Sequence, residues 1–237
     1  MSSLTVDARF CGPRGCANGG YLAGLMANHS PARVRIRLER PIPLDVPLEL
    51  VALEGGGLEL TCEGARLARA LPAADFEFDV PEAPSYLEAL EASRRFAGFA
   101  NHPAPDCFVC GIHRTRPDGL RVFAGPWGSA NKVAAPWVAD AGLSDGDGKV
   151  RPEIISAALD CPGAFAARDD VVPMLLGEFT AHIDRRVQVG ESCTLIGWSL
   201  GTEGRKRAAG TALYDGRGQL CGRARALWIA PKGAAAP

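Results

Sequence analysis

Two histidines and two cysteines lie close together in the middle of the chain, in the order His102-x4-Cys107-x2-Cys110-x2-His113. Zinc in proteins is bound tetrahedrally by Cys and His side chains at such spacings, so the segment has the composition of a zinc site. The argument against it is geometric, because a strand would point Cys107 and Cys110 to opposite faces. We therefore favour a buried structural role for the cysteines and predict neither a metal nor another cofactor, with zinc as the open alternative.

Three further polar residues lie where helices are expected to begin or restart. Asn18 can cap a helix that runs to about residue 28, and Glu153 falls in the first turn of a helix that Pro152 favours. Asp160 precedes Pro162 and can cap the helix that restarts there. The same groups can do chemistry, because a carboxylate can act as a general base, contributing about 10²–10⁴-fold. Amides at a helix start can hold an oxyanion, and Asn18 can orient a carbonyl or a water there.

Composition places the chain among ordinary globular proteins. Its 237 residues are 47% hydrophobic and 22% charged, with a net charge of −1, so we predict no nucleic-acid partner and no membrane partner. No apolar run approaches the ~18 residues of a membrane span, and none resembles a secretion signal. The eight cysteines are then expected to stay reduced, and we predict a cytoplasmic location.

The chain contains two related halves. The stretch Arg-Leu-Glu-Arg at 37–40 has a counterpart in His-Ile-Asp-Arg at 182–185. Each is preceded by a small-residue helical segment and followed by a strand-like run that ends in Ala-Arg-Ala. A repeated unit of this length is a duplicated domain. We predict an N-terminal domain with a connector helix over residues 1–104 and a C-terminal domain over residues 105–237.

Each half shows one helix followed by an antiparallel meander. In the first half, Val34, Ile36 and Leu38 alternate with charged residues, which is typical of a half-buried strand. The preceding helix carries several glycines, which cost helix propensity and make sense if a sheet wraps closely around it. Between the halves, Ser85-x-x-Glu88 is a capping box that predicts the start of a connector helix.

Three motifs resemble known proteins. Residues 151–160, Arg-Pro-Glu-Ile-Ile-Ser-Ala-Ala-Leu-Asp, resemble the central-helix segment in the second half of the type II acyl-CoA thioesterases. Residues 18–23 resemble the Gly-Gly start of the central helix in the thioesterase-like superfamily, and residues 107–111 resemble the first strand of many hotdog proteins. The resemblance implies an α+β double hotdog. In that fold two curved antiparallel sheets, each wrapped around a central helix, join edge to edge, with an acyl-chain tunnel between the halves.

The resemblance also implies roles for individual residues. In the related enzymes an acid at the place of Asp160 helps to activate the attacking water. A hydroxyl residue lies on the strand after the helix, where Thr180 is the nearest candidate, and Asn18 is a further catalytic candidate. The amides of a helix start hold the substrate carbonyl. The substrate-binding candidates at the two helix starts are Gly19, Gly20, Arg151 and Glu153.

The resemblance predicts an acyl-CoA thioesterase with a coenzyme A thioester as its substrate. One departure counts against this, because the related enzymes carry a glutamine near the end of the last strand, where residues 223–227 read Arg-Ala-Arg-Ala-Leu. The alternative is a non-catalytic binder of acyl-CoA or of another apolar small molecule. A hotdog dehydratase or hydratase ranks lower, since the sequence has no evident Asp-x5-His pair for proton abstraction. A homo-oligomer of the double hotdog is left open.

Overall fold

The computed structural model describes residues 2–74, 76, 78–129, 131–168 and 174–231. The strands are β1 (Ser2–Leu4), β2 (Val34–Leu38), β3 (Leu48–Ala52), β4 (Leu58–Cys62), β5 (Ala65–Pro72), β6 (Gly125–Pro126), β7 (Lys132–Val138), β8 (Leu175–Ile183), β9 (Ser192–Glu203), β10 (Lys206–Tyr214) and β11 (Leu220–Ile229). The α-helices are α1 (Gly19–Asn28), α2 (Tyr86–Ser93), α3 (Pro152–Ala158) and α4 (Cys161–Ala166). Among the described residues, no helix has the length and apolar character needed to span a membrane.

The strands of both halves form one antiparallel sheet. Its order is β1-β3-β4-β5-β2-β8-β11-β10-β9-β7-β6, so the first five strands of the chain occupy one side and the last six the other. The two blocks meet where β2 pairs with β8, through Ile36 opposite Phe179 and Arg37 opposite Glu178. The molecule therefore contains both helices and strands, with one large antiparallel sheet and a few helices. The strand blocks of the two halves join edge to edge at the middle of this sheet.

The alternation in β2 is the half-buried strand that the sequence predicts. Val34 and Ile36 are buried, whereas Arg35 and Arg37 are exposed. Successive side chains of a strand point to opposite faces, so one face of β2 packs on the core and the other meets solvent.

The connector helix α2 covers the outer face of the second half of the sheet. Its residues Ala89 and Ala92 pack with Trp198 of β9 and Tyr214 of β10 in a cluster separate from the main core. The predicted capping box is confirmed, because the Glu88 amide donates to the Ser85 hydroxyl (3.3 Å) and the Glu88 carboxylate accepts from the Ser85 amide (2.8 Å).

Helices α1 and α3 pack against each other at very short range. A side chain at Gly24 would bring its Cβ to 2.5 Å from the Cα of Glu153, and one at Gly20 would lie 2.5 Å from the Cβ of Asp160. The Ser156 hydroxyl also donates a hydrogen bond to the Gly20 carbonyl (2.7 Å). The glycines at 20 and 24 therefore admit a neighbouring helix from the other half of the chain, and the expectation that they admit a closely wrapped sheet is wrong for these two positions.

Residues 107–111 form a turn, and the predicted strand at this place is wrong. The Gly111 amide donates to the Cys107 carbonyl (2.8 Å), which closes one helix-like turn. Gly111 is required there, because an added Cβ would lie 2.4 Å from the Cys107 carbonyl oxygen. The turn places Cys107 and Cys110 on the same side, so the objection that they point to opposite faces does not hold.

Candidate active site

A cavity of about 340 Å³ lies at the start of α1 and of α4. Its walls come from both halves of the chain, and most of them are apolar. The apolar lining residues include Leu38, Ile42, Ala164, Phe165, Leu176 and Trp228. Asn18 and Asp160 bring polar groups to the same wall. An apolar pocket with a few polar groups at one place is the usual form of a small-molecule site.

Asp160 is the buried acid of this wall, with 2% of its surface exposed. Its Oδ2 atom accepts hydrogen bonds from the Asn18 side-chain amide (2.9 Å) and from the Gly20 backbone amide (3.0 Å). Its Oδ1 atom is buried and has no hydrogen-bond partner among the described residues. The carboxylate is thus held through Oδ2, and Oδ1 is its buried oxygen without a hydrogen-bond partner among the described residues.

Burial raises the pKa of Asp160 from its ordinary value to about 7. The Gly20 and Asn18 hydrogen bonds act in the opposite direction, because they stabilise the charged form, whereas the nearby Cys107 raises the pKa further. The helix-capping interpretation of Asp160 is wrong, since its side chain makes no capping bond to α4. Perturbed acids of this kind are enriched in functional sites.

Asn18 connects the start of α1 to Asp160. Its side-chain oxygen accepts from the Tyr21 amide (2.8 Å), so the predicted helix cap is confirmed, and its side-chain nitrogen donates to Asp160 (2.9 Å). One side chain therefore caps the start of α1 and orients the carboxylate, which lies 142 residues away in the chain.

We expect Asn18→Ala to lower the free energy of unfolding by about 3 kcal/mol. The cap contributes ~1 kcal/mol, and a buried hydrogen bond to a carboxylate contributes ~1.5–3 kcal/mol. Urea unfolding measures the loss. Asn18→Ser keeps a capping oxygen and is too short to hold Asp160, so it should recover only the cap. Equal stability of the Ala variant and the unmodified protein would contradict the arrangement.

Three cysteine sulfurs converge beside Asp160. Cys107 and Cys110 come from the turn, and Cys161 begins α4. The three Sγ atoms lie within 4.8 Å of one another, and those of Cys107 and Cys161 are 3.8 Å apart. All three cysteines line the cavity. Hydrogen bonds from the other two thiols lower the pKa of Cys107, and the same contacts raise the pKa of Cys110 and Cys161.

The two histidines of the predicted zinc motif lie outside this group. The His102 ring bonds to the Cys110 carbonyl (2.9 Å) and accepts from the Ala104 amide (2.9 Å). His113 is exposed and pairs with Asp106 (2.9 Å). The predicted zinc ligands His102, Cys107, Cys110 and His113 therefore do not come together, because the two histidines lie away from the two cysteines. The sequence offered no signal for Cys161, because its approach depends on the packing of α4.

The remaining predicted residues divide between the cavity and other places. Gly19 lines the cavity, and the Gly20 amide is already occupied by Asp160. Arg151 and Glu153 lie at the opposite end of the helix pair, where Glu153 accepts from Asn28 (3.0 Å), and neither lines the cavity. Thr180 is buried on β8 opposite Arg225 and is likewise absent from the cavity wall. The structure thus joins Asn18, Gly20 and Asp160 by hydrogen bonds, places Gly19 on the cavity wall, and leaves Thr180, Arg151 and Glu153 apart.

The fold matches solved structures over almost the whole chain. The tesB protein of Mycobacterium avium subspecies paratuberculosis superimposes with a TM-score of 0.64 at 18% identity, covering 97% of this chain and 92% of that one. The chain has the fold of the type II thioesterases. The acyl-CoA thioesterase II TesB2 of Mycobacterium marinum gives a TM-score of 0.61 at 12% identity, with 98% and 93% covered. The resemblance predicted from the motifs is thus confirmed for the fold. No protein-family model matches this sequence, and none of the curated proteins is similar to it in sequence.

Proposed function

We propose that this protein hydrolyses the thioester bond of an acyl-CoA in the cavity beside Asp160. The observation that carries the proposal is the buried Asp160 carboxylate on the wall of an apolar cavity, which is anchored through Oδ2 and whose buried Oδ1 has no hydrogen-bond partner among the described residues. A carboxylate held in this way can take a proton from water, and the apolar walls suit an acyl chain. The shared fold with thioesterases supports the same conclusion.

In the proposed reaction, Asp160 removes a proton from a water that attacks the thioester carbonyl carbon. The carbon–sulfur bond then breaks, and Asp160 returns the proton to the leaving sulfur, so that coenzyme A leaves as its thiol, the acyl group leaves as the carboxylic acid and the Asp160 carboxylate is regenerated. The Gly20 amide is bound to Asp160, so Gly19 is the helix-start amide that remains for the carbonyl oxygen. Asn18 supplies a side-chain amide beside Asp160. We propose that this amide takes the place of the glutamine that the related enzymes carry on the last strand and that this chain lacks.

We also propose that residues 1–104 and 105–237 are two hotdog units, each a curved sheet around its own helix. The block-wise strand order supports this division. Thr180, Arg151 and Glu153 remain predictions as site residues. So do the cytoplasmic location, the absence of nucleic-acid and membrane partners, and a homo-oligomer.

The proposal is tested by measuring thiol release from a panel of acyl-CoA substrates that range from acetyl to palmitoyl and include phenylacetyl. We expect turnover that depends on the acyl group. Binding of an acyl-CoA without release of thiol, measured by calorimetry on the same samples, would replace the hydrolase with the non-catalytic binder. The observation that favours this alternative is the absence of the glutamine that the related enzymes carry near the end of the last strand.

We expect Ala164→Trp to narrow the range of acyl chains. Ala164 lines the cavity, so an indole there occupies space that a long chain needs. We expect kcat/KM for palmitoyl-CoA to fall at least about tenfold while that for acetyl-CoA changes little. Ala141→Trp makes the same change at an exposed alanine and should leave both values unchanged. A uniform loss over all chain lengths would contradict an acyl site at Ala164.

A further inference from the structure

The cysteine group Cys107, Cys110 and Cys161, here called the thiol cluster, has no part in the proposed hydrolysis. Within the described residues it is the one group of three or more Cys, His, Asp or Glu side chains whose ligand atoms all lie within 4.8 Å of one another. Each of the three side chains is buried. Buried cysteines often act as small apolar residues, but three whose sulfurs converge from two distant segments form the donor set of a soft cation.

The spacing of the sulfurs matches tetrahedral coordination. A Zn–S bond of ~2.3 Å places two sulfurs of a tetrahedron ~3.8 Å apart. The Cys107 and Cys161 sulfurs are 3.8 Å apart, and both other pairs are within 4.8 Å. Those two pairs therefore need to close by no more than about 1 Å to complete a three-sulfur face.

The turn at residues 107–111 holds the Cys107 and Cys110 side chains in positions suited to metal ligands. The Asn18 side-chain nitrogen donates a long hydrogen bond to the Cys107 sulfur (4.0 Å). An outer hydrogen bond of this kind commonly orients a metal ligand and offsets its charge. Gly111 allows the chain to close tightly enough for Cys107 and Cys110 to share one face.

We propose that the thiol cluster binds one Zn²⁺ ion through Cys107, Cys110 and Cys161, with a fourth ligand from the cavity. The ion links the turn at 107–111 to the first residue of α4, which directly follows Asp160. It therefore fastens the segment that carries the acid to a part of the chain more than fifty positions earlier in sequence. This inference is independent of the proposed thioesterase activity.

The test is metal analysis of untagged protein purified without chelator, followed by removal of metal under reducing conditions and titration with Zn²⁺ alone against a chromophoric chelator. We expect about one zinc per chain, and affinity at least about tenfold lower in Cys161→Ser and Cys110→Ser. His113→Ala should bind zinc as the unmodified protein does, because His113 lies outside the cluster. Equal zinc binding by the Ser variants and the unmodified protein, or loss of zinc in His113→Ala, would overturn the assignment.

A second measurement uses only the unmodified protein, in case a Ser variant fails to fold. Zinc-loaded and zinc-free samples are alkylated and the labelled cysteines mapped by mass spectrometry. We expect zinc to protect the three cluster cysteines and to leave the labelling of Cys16 and Cys62, which are partly exposed, unchanged. Labelling of the cluster in the zinc-free sample that added zinc does not reduce would refute the site, whatever the thioesterase assay shows.

Discussion

Asp160→Asn should lower kcat for acyl-CoA hydrolysis by about 10²–10⁴-fold. The amide keeps the size of the side chain and an oxygen that can accept from Asn18 and Gly20, but it cannot take a proton from water. The free energy of unfolding should change by no more than about 1 kcal/mol. Steady-state thiol release and urea unfolding on the same preparation measure the two quantities separately.

Asp215→Asn is the matched control for this change. Asp215 is the other buried aspartate among the described residues, and it accepts from the Arg217 (2.9 Å) and Gln219 (2.8 Å) amides in the hairpin between β10 and β11. Its replacement should destabilise the protein by about 1–3 kcal/mol with kcat unchanged. Full activity in Asp160→Asn would remove Asp160 from the mechanism, and loss of activity in both variants would show that the assay reports stability.

Gly24→Ala should lower the free energy of unfolding by about 3 kcal/mol. The higher helix propensity of alanine stabilises α1 by ~1 kcal/mol relative to glycine. However, the alanine Cβ would lie 2.5 Å from the Cα of Glu153 and 2.8 Å from the Cβ of Ser156. Backbone on the facing helix cannot move aside as a side-chain tip can, so the steric cost exceeds the gain. The midpoint of urea unfolding measures the net loss.

Gly142→Ala provides the comparison. An added Cβ at Gly142 meets no atom within 4 Å, and the position is exposed, so we expect a change within about 0.5 kcal/mol. If Gly24→Ala proves as stable as Gly142→Ala, the two helices do not pack as closely as described.

Local features of the fold could be predicted from the sequence because their causes are local. The alternation in β2, the capping box of α2 and the cap at Asn18 each depend on residues within one turn or one strand. The strand predicted for residues 107–111 is different, because it rests on the resemblance to the first strand of hotdog proteins and not on the local sequence. A buried turn can hold the same side chains, and only the contact between Gly111 and the Cys107 carbonyl distinguishes the two.

The candidate site was predicted in its residues but not in its contacts. Asp160 and Asn18 were both named, yet nothing in the sequence joins two side chains that are 142 residues apart. Their meeting depends on the close approach of α1 and α3, which requires Gly20 and Gly24 together. Cys161 was missed as a partner of Cys107 for the same reason. Conversely, Glu153 and Arg151 share a helix with the site but lie at its far end, which spacing alone does not reveal.

The helix pair has two inequivalent ends, Asp160 with Asn18 at one and Glu153 with Asn28 at the other. In an assembly of identical subunits, symmetry would force both ends to be the same. Here the acid and its anchors belong to one covalent chain, so each end can evolve on its own. The assembled centre also persists on dilution, because no association equilibrium stands between its parts.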